Sequence, residues 1–275
     1  MPHVKTRGFV VRVVPVGESD RIISLLTEEL GLISVSVQGA RRTRSPHLLT
    51  TQIFSFGRYE LFQNRGHYSL NASELIEPFM ALQKDIDRLV CAAHLAEVLV
   101  DCLRDDVAQP ALYRFWAYSL QALQEQADPL LTVHTAQWRI LAEIGLAPRL
   151  DGCVICGDRS GNDYFSIKAC GVVCGKSSCL GQAADARPVS AGCLACMRHI
   201  QDVPIGKLFH FQLDDTVRQA FIALSDAYLS FQMEKEYTRL QMLQTLSCPD
   251  NHTGQPDTGL PSPQKTCKTE LTSDS

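Results

Sequence analysis

The segment LDGCVICGDRSGNDYFSIKACGVVCGKSSCLG, residues 150–181, holds five of the chain's eleven cysteines. Cys153 and Cys156 form a C-x-x-C pair followed by Gly157. Two thiolates at that spacing reach one metal ion from a tight turn, and a tetrahedral Zn²⁺ site then needs two more ligands. The next two dozen residues offer Cys170, Cys174 and Cys179. FSIKACGVVCGKSSC reads as a strand rising into a second turn, which selects Cys174 and Cys179, although Cys170 could replace either. A further C-x-x-C pair, Cys193 and Cys196, sits in SAGCLACMRHIQ, an expected helix. With His199 these thiols could be ligands, but small buried side chains on one helix face are the plainer reading.

The spacing restricts the chemistry. A thioredoxin-like C-x-x-C opens a helix after a strand in a βαβ unit. Here helical periodicity precedes the pair and a Gly-rich turn follows it. A catalytic zinc keeps one position open beside a general base, whereas four thiolates close the shell. An iron–sulfur cluster would use the same four thiolates. Structural zinc, one ion per chain, is the favoured assignment.

The second chemical feature is QGARRTRSPH, which sets Arg41, Arg42 and Arg44 in a loop bounded by Gly39 and Pro46, with no carboxylate between Gly31 and Arg58. Guanidinium groups pair well with phosphate oxygens. Arg12 could extend such a path, with Lys5 and Arg7 just before it. Phe54, Phe56, Tyr59 and Tyr68 are available as stacking platforms, although barrel core is the simpler role for most of them. A solvated loop is the plain alternative for the arginines. His47 and His67 have no visible partners and read as surface or structural.

These features need elements to position them. GFVVRVV, RIISLLT, GLISVSVQG, TQIFSFGRYELFQ and GHYSLNASELIE read as five strands. The pattern puts Phe9, Val11 and Val13 on one face and Val10, Arg12 and Val14 on the other. Five short strands in about 70 residues fit a small OB-like barrel. After Pro78 the period becomes helical. Pro110 and Pro129 open helices, the second stopping at Gly145. Further helices are expected around 190–200 and 213–246. The fold class is therefore α+β and multidomain. A five-stranded OB-fold barrel over 1–79 precedes a helical domain over 80–248, with a zinc-binding module inserted at about 150–185. The Pro-rich polar segment 249–275 reads as a disordered tail.

Composition narrows the function further. The chain has 275 residues, a net charge of −4 and 45% hydrophobic residues. An acidic balance argues against a bulk polyanion binder, but it is uneven. Residues 1–80 carry nine Lys and Arg against seven Asp and Glu, while residues 81–150 carry six against nine. Nucleic-acid contacts are therefore expected near the N-terminus. No P-loop and no paired carboxylates placed for nuclease metals are present. The N-terminal segment lacks signal-peptide architecture and no apolar run is long enough to span a membrane, so a cytoplasmic protein is expected.

The combination resembles the RecO family of bacterial recombination mediators. The residues that carry it are VGESDRIISLLTEELGLISVSVQGARRTRS (16–45), YSLNASELIEPF (68–79), RILAEIGLAPRLDGCVICG (139–157) and FS…GVVC (165–174). The match covers most of residues 5–245. It implies an N-terminal OB-fold, a helical domain and a zinc module, without catalysis. It also implies binding of single- and double-stranded DNA, strand annealing, and help for RecA in displacing single-strand-binding protein with RecR, at the nucleoid. For the C-terminal tail of single-strand-binding protein, an apolar pocket beside a basic residue is needed, with Arg88, Arg104, Arg114 and Arg139 as options. The chain departs from the family pattern at Ser177, where a second C-x-x-C would put its fourth thiol, and in carrying Cys193 and Cys196. A zinc-ribbon protein-interaction module without DNA binding and a thiol oxidoreductase are the rival classes.

Overall fold

Alternating apolar residues build five strands in the first 77 positions: β1 (His3–Val16), β2 (Asp20–Thr27), β3 (Gly31–Val37), β4 (Phe56–Asn64) and β5 (His67–Glu77). They are seen in a computed structural model that describes residues 3–161 and 163–246. The strands close into a barrel in the order β1-β2-β3-β5-β4, with β3 and β5 parallel and the other neighbours antiparallel. This is the OB-fold arrangement. In β3, Ile33, Val35 and Val37 are buried while Ser34 and Ser36 face out, as the alternation predicts.

β1 departs from its predicted phase. Phe9, Val10 and Val11 are all buried, because the register with β2 shifts between Val10 and Arg12. Such a bulge inverts which face each later side chain meets. Val10 and Val13 therefore pack inside the barrel with Ile23 and Leu25, while Phe9 and Val11 pack outward against the helices. The fourth strand begins at Phe56 and not at Thr51. Phe54 takes a left-handed backbone (φ 70°) and is fully buried with Trp116, their ring centroids 6.3 Å apart. Residues 38–55 thus form a turn-rich connection.

The helical part begins with α1 (Met80–Lys84), α2 (Ile86–Cys102), α3 (Pro110–Glu125) and α4 (Pro129–Glu143). Proline opens α3 and α4, and Gly145 follows α4 with φ 84°. A small sheet of β6 (Tyr164–Ser166), β7 (Gly171–Val173) and β8 (Arg187–Pro188) surrounds the one-turn α5 (Ser177–Leu180). Then come α6 (Ala191–Asp202), a 3-10 turn (Ile205–Lys207), α7 (Asp215–Met233) and α8 (Gln241–Leu246). The single helix expected over 213–246 is broken. Glu234 is left-handed, and Lys235 turns back to pair with Glu97 and Asp101 on α2. The segment 249–275 lies outside the described residues.

One apolar core runs through both parts. Phe9, Val11 and Phe54 of the barrel share it with Leu95, Leu99 and Trp116 of the helices, and with Phe165 and Val172 of the small sheet. Burial contributes roughly 1.5–3 kcal/mol for each large apolar side chain. A polar line crosses this core: Gln137 Oε1 accepts from His94 Nε2 (2.9 Å) and Gln137 Nε2 donates to Ser225 Oγ (2.8 Å), tying α2, α4 and α7 together. No described helix is long and apolar enough to cross a membrane.

Candidate metal centre and nucleic-acid interface

The first thiol pair lies on a tight loop. Cys153 N donates to Asp158 O (2.7 Å) and Gly157 N donates to Cys153 O (2.8 Å). Gly157 has φ 77°, a conformation that suits glycine. β7 carries Cys174 to the facing loop. The wider gap to Cys179 is accommodated because Cys179 sits on α5, which turns its side chain back toward the first pair. The ligand atoms of Cys153, Cys156, Cys174 and Cys179 all lie within 4.8 Å of one another. Cys156 Sγ and Cys174 Sγ are 3.7 Å apart. A tetrahedral zinc with Zn–S bonds near 2.3 Å sets its sulfurs about 3.8 Å apart, whereas a disulfide needs about 2.05 Å. The cluster therefore fits a metal, and all four cysteines are free thiols.

Burial opposes ionisation of Cys153, but N–H groups of Cys174, Cys156 and Ile155 outweigh it and bring the thiol down to about 6. Burial and the three neighbouring sulfurs push Cys179 up to about 12. A central cation is what allows all four to ionise together. Outside the cluster, Lys176 pairs with Asp158 (2.8 Å) and braces one loop against the other. Lys176 is raised by that contact, and Asp158 is held well below the usual carboxylate range by Lys176 and Ser160.

Cys170 is elsewhere. Its sulfur accepts from Gln232 Nε2 (3.1 Å) on α7. Cys193 and Cys196 are buried in α6, and burial lifts them to about 11 and about 12. Neither joins a ligand cluster among the described residues, and His199 packs edge-on against Phe211.

The arginine loop is pinned to the β1–β2 hairpin. Asp20 accepts from Gly39 N (2.8 Å) and from Ser19 Oγ (2.9 Å), which hold its carboxyl low. Arg41 N donates to Ser19 O (2.9 Å), and Arg41 Nη1 donates to Gly17 O (3.3 Å). The far half of the loop is tied down as well. Tyr59 OH donates to Thr50 O (2.7 Å), and His47 Nδ1 and Thr50 Oγ1 both meet Ser73 Oγ. His47 is thus structural, and burial lowers it. Arg41, Arg42 and Arg44 are exposed, and the ion pairs among the described residues do not use them.

The other basic residues lie apart. Arg12 is exposed at a cleft of about 640 Å³ between the β1–β2–β3 face and the end of α2, which also holds Tyr68, His67, Asp105 and Asp106. Asp106 N donates to Leu32 O, which fixes this acidic turn on the barrel. Lys5 pairs with Glu60 (2.6 Å), and Arg7 stands beside Arg58 at the start of β1, far from the hairpin tip. Arg88 donates to carbonyls at the end of α3, and Arg139 to those of Ile200, Gln201 and Val203 at the end of α6. Arg104 and Arg114 are exposed. The apolar pocket of the helical part, about 220 Å³, instead lies beside Arg218, with Leu131, Phe209, Phe211 and Leu213 in its lining. Arg218 makes two bonds to Asp128 there. Spacing gave no sign of Asp105, Asp106 or Arg218, because each acts through a contact distant in sequence.

The family described as Recombination protein O N terminal matches residues 1–79, and the one described as Recombination protein O C terminal matches residues 83–241. The chain is similar to the DNA repair protein RecO of Acetivibrio thermocellus, 31% identical over 248 residues that cover 90% of this chain and 98% of the relative. It is 28% identical over 247 residues to the DNA repair protein RecO of a Thermoanaerobacter species, covering 90% and 99%. With that of an Exiguobacterium species it shares 34% over 172 residues, covering 62% and 69%.

Proposed function

The chain belongs to the RecO family of DNA repair proteins, and from that premise we propose that it is a non-catalytic recombination mediator of the RecF pathway. It binds single- and double-stranded DNA, anneals complementary strands, and helps RecA load onto DNA coated with single-strand-binding protein, acting with RecR at the cytoplasmic nucleoid. The observation that carries the DNA-binding step is the exposed trio Arg41, Arg42 and Arg44 on a loop pinned to the hairpin of an OB barrel, outside every ion pair among the described residues. Arg12, Arg7 and Lys5 are outlying contacts in this proposal, each contributing less than the loop. For the C-terminal tail of single-strand-binding protein, the pocket at Leu131, Phe209, Phe211 and Leu213 offers apolar side chains, and Arg218 would have to exchange its Asp128 partner for the tail carboxylate.

Zinc is the metal we assign to Cys153, Cys156, Cys174 and Cys179. Four thiolates leave no open position, so its role is to hold the two loops and β6–β8 together. Of the basic side chains at the module, Arg149 and Lys176 are paired with Asp151 and Asp158.

Binding is tested by measuring affinity for an oligonucleotide across a salt series. Each lost phosphate contact lowers the slope of log K against log salt by about 0.7–0.9. The Arg41→Ala/Arg42→Ala/Arg44→Ala variant should therefore lose about two to three units of slope. An unchanged slope and affinity would remove the loop from the DNA site. Absence of any salt-sensitive binding by the wild-type chain would favour the zinc-ribbon interaction module. Annealing of strands coated with single-strand-binding protein, with and without the chain, tests the mediator role. The thiol-oxidoreductase reading loses support from the convergence of all four thiols on one point, and turnover of a disulfide substrate would revive it.

A further inference from the structure

Resting on the reading that the Arg41–Arg44 loop holds DNA, we infer that the bases pass over an aliphatic ridge on the β1–β2 hairpin without stacking, and stay free to pair. Barrels that hold single strands usually stack successive bases on exposed aromatic rings. This barrel has seven aromatic residues within positions 1–79, and the fold uses them all. Phe9, Phe54, Tyr59 and Phe79 are buried. Phe56 stacks on Phe9 at 4.4 Å, and Phe62 packs on His3 at 4.5 Å. Tyr68, in the wall of the Arg12 cleft, is partly buried against the barrel interior, and its hydroxyl accepts from Gln63.

The large apolar side chains that the barrel does expose are aliphatic. Val14, Val16 and Ile22 are 39%, 41% and 38% exposed. Val14 faces Ile22 across the hairpin, and the tip of that hairpin receives the Arg41 guanidinium at Gly17 O. Aliphatic groups exclude water from a base edge but offer no π face. In the cleft beyond the ridge Asp105 and Asp106 line the wall with Arg12, which makes it a weaker phosphate site than the loop. DNA is thus held at the rim by its phosphates. A grip of this kind distinguishes poorly between single strand and duplex, and it leaves a captured strand ready for its complement.

The test uses the full chain with a single-stranded 30-mer carrying 2-aminopurine, the matching duplex, and the variants Ile22→Trp and Val14→Tyr. Both substitutions are at exposed positions, and circular dichroism confirms which variant is folded. The expected wild-type result is single-strand and duplex affinities within about three-fold of each other at fixed salt, with 2-aminopurine emission unchanged at saturation. Adding an aromatic ring to the ridge should raise single-strand affinity about five-fold or more, the low end of the gain for one stacked base, and should slow annealing. Wild-type binding that quenches 2-aminopurine, or that prefers single strands more than ten-fold, would overturn the inference while leaving the arginine loop in place. Unchanged single-strand affinity in both folded aromatic variants would overturn the path over the ridge. Loss of all DNA binding, or a triple-alanine variant with an unaltered salt slope, would instead defeat the loop reading beneath it.

Discussion

Cys179→Ala and Cys170→Ala form a pair of substitutions with opposite expected outcomes. The zinc module has a small apolar core of its own: Cys153, Cys174 and Cys179 are buried with Val173 and Ala183, and Val154, Ile155, Tyr164, Leu180 and Ala186 pack against them only partly buried. Burying a valine contributes roughly 1.5–3 kcal/mol, while fixing the backbone costs about 1–2 kcal/mol for every residue. The module's own apolar side chains offset only part of this cost, and the metal supplies the larger share at the thiol loops. Structural zinc contributes about 10–16 kcal/mol in small sites. Shared among four ligands, one thiol accounts for roughly 2.5–4 kcal/mol, a loss of about two to three orders of magnitude in metal affinity. Cys179→Ala should thus lose its zinc to a chelator that leaves the wild type loaded. Cys170→Ala gives up the bond from Gln232, worth about 1 kcal/mol, and a long contact to Lys168 O, neither of them to the thiol cluster, and should keep one zinc per chain. Metal content after chelator dialysis is the first readout. Tryptophan emission is the second, because Phe165 of the module packs 6.4 Å from Trp138. Zinc lost from the Cys170 variant and retained at wild-type affinity by the Cys179 variant would refute the ligand set.

Gly31→Ala should destabilise the chain by roughly 2–4 kcal/mol, since its backbone is left-handed (φ 70°) and a Cβ would lie 2.2 Å from Val107 O; a thermal scan should show a drop of roughly 4–16 °C. Asp128→Asn should flatten the acid limb of stability. Burial raises the Asp128 carboxyl, but the Arg218 guanidinium and the N–H groups of Leu131 and Leu130 outweigh it and hold it low. A lowered carboxyl favours the fold where it is ionised, so its contribution is full above about pH 4 and is lost as the pH falls through the folded value. Asparagine keeps an acceptor for the Leu131 N–H but not the charge. Urea midpoints of wild type and variant should therefore differ at pH 7 and converge as the pH falls through the lowered folded value of Asp128; a constant gap would show that the charge is not the cause.

Much of this was readable in local pattern. Ile33, Val35 and Val37 point inward because strict alternation admits one register, and Pro110 and Pro129 mark helix starts because proline lacks the N–H that a first turn does not need. Cys153 and Cys156 were readable from spacing alone. Cys179 was harder, since the choice over Cys170 depends on how α5 turns, which spacing does not encode. The phase of β1 failed at Val11 because a one-residue bulge leaves no mark in a run of apolar residues. The start of β4 failed because Phe54 is drawn into the helical core, and tertiary burial overrode its strand propensity. Gly31 and Val107 meet across 76 residues, and no local signal announces such a contact.

The shared core explains why a loop without regular structure can serve as a binding platform. Residues 38–55 contain no strand or helix, yet they are fixed at both ends. At the start, Asp20 holds Gly39 and Ser19 holds the Arg41 backbone. At the end, Val10 and the pair Phe54–Ser55 exchange backbone bonds of 2.7 and 3.0 Å, while the Phe54 ring is buried against Trp116. Between them, Arg21 donates to Thr51 Oγ1 and Tyr59 to Thr50 O. The backbone beneath the three guanidiniums is therefore ordered before any ligand arrives, and only the exposed side chains lose freedom on binding. The same anchoring ties the loop to α3, where Phe54 meets Trp116.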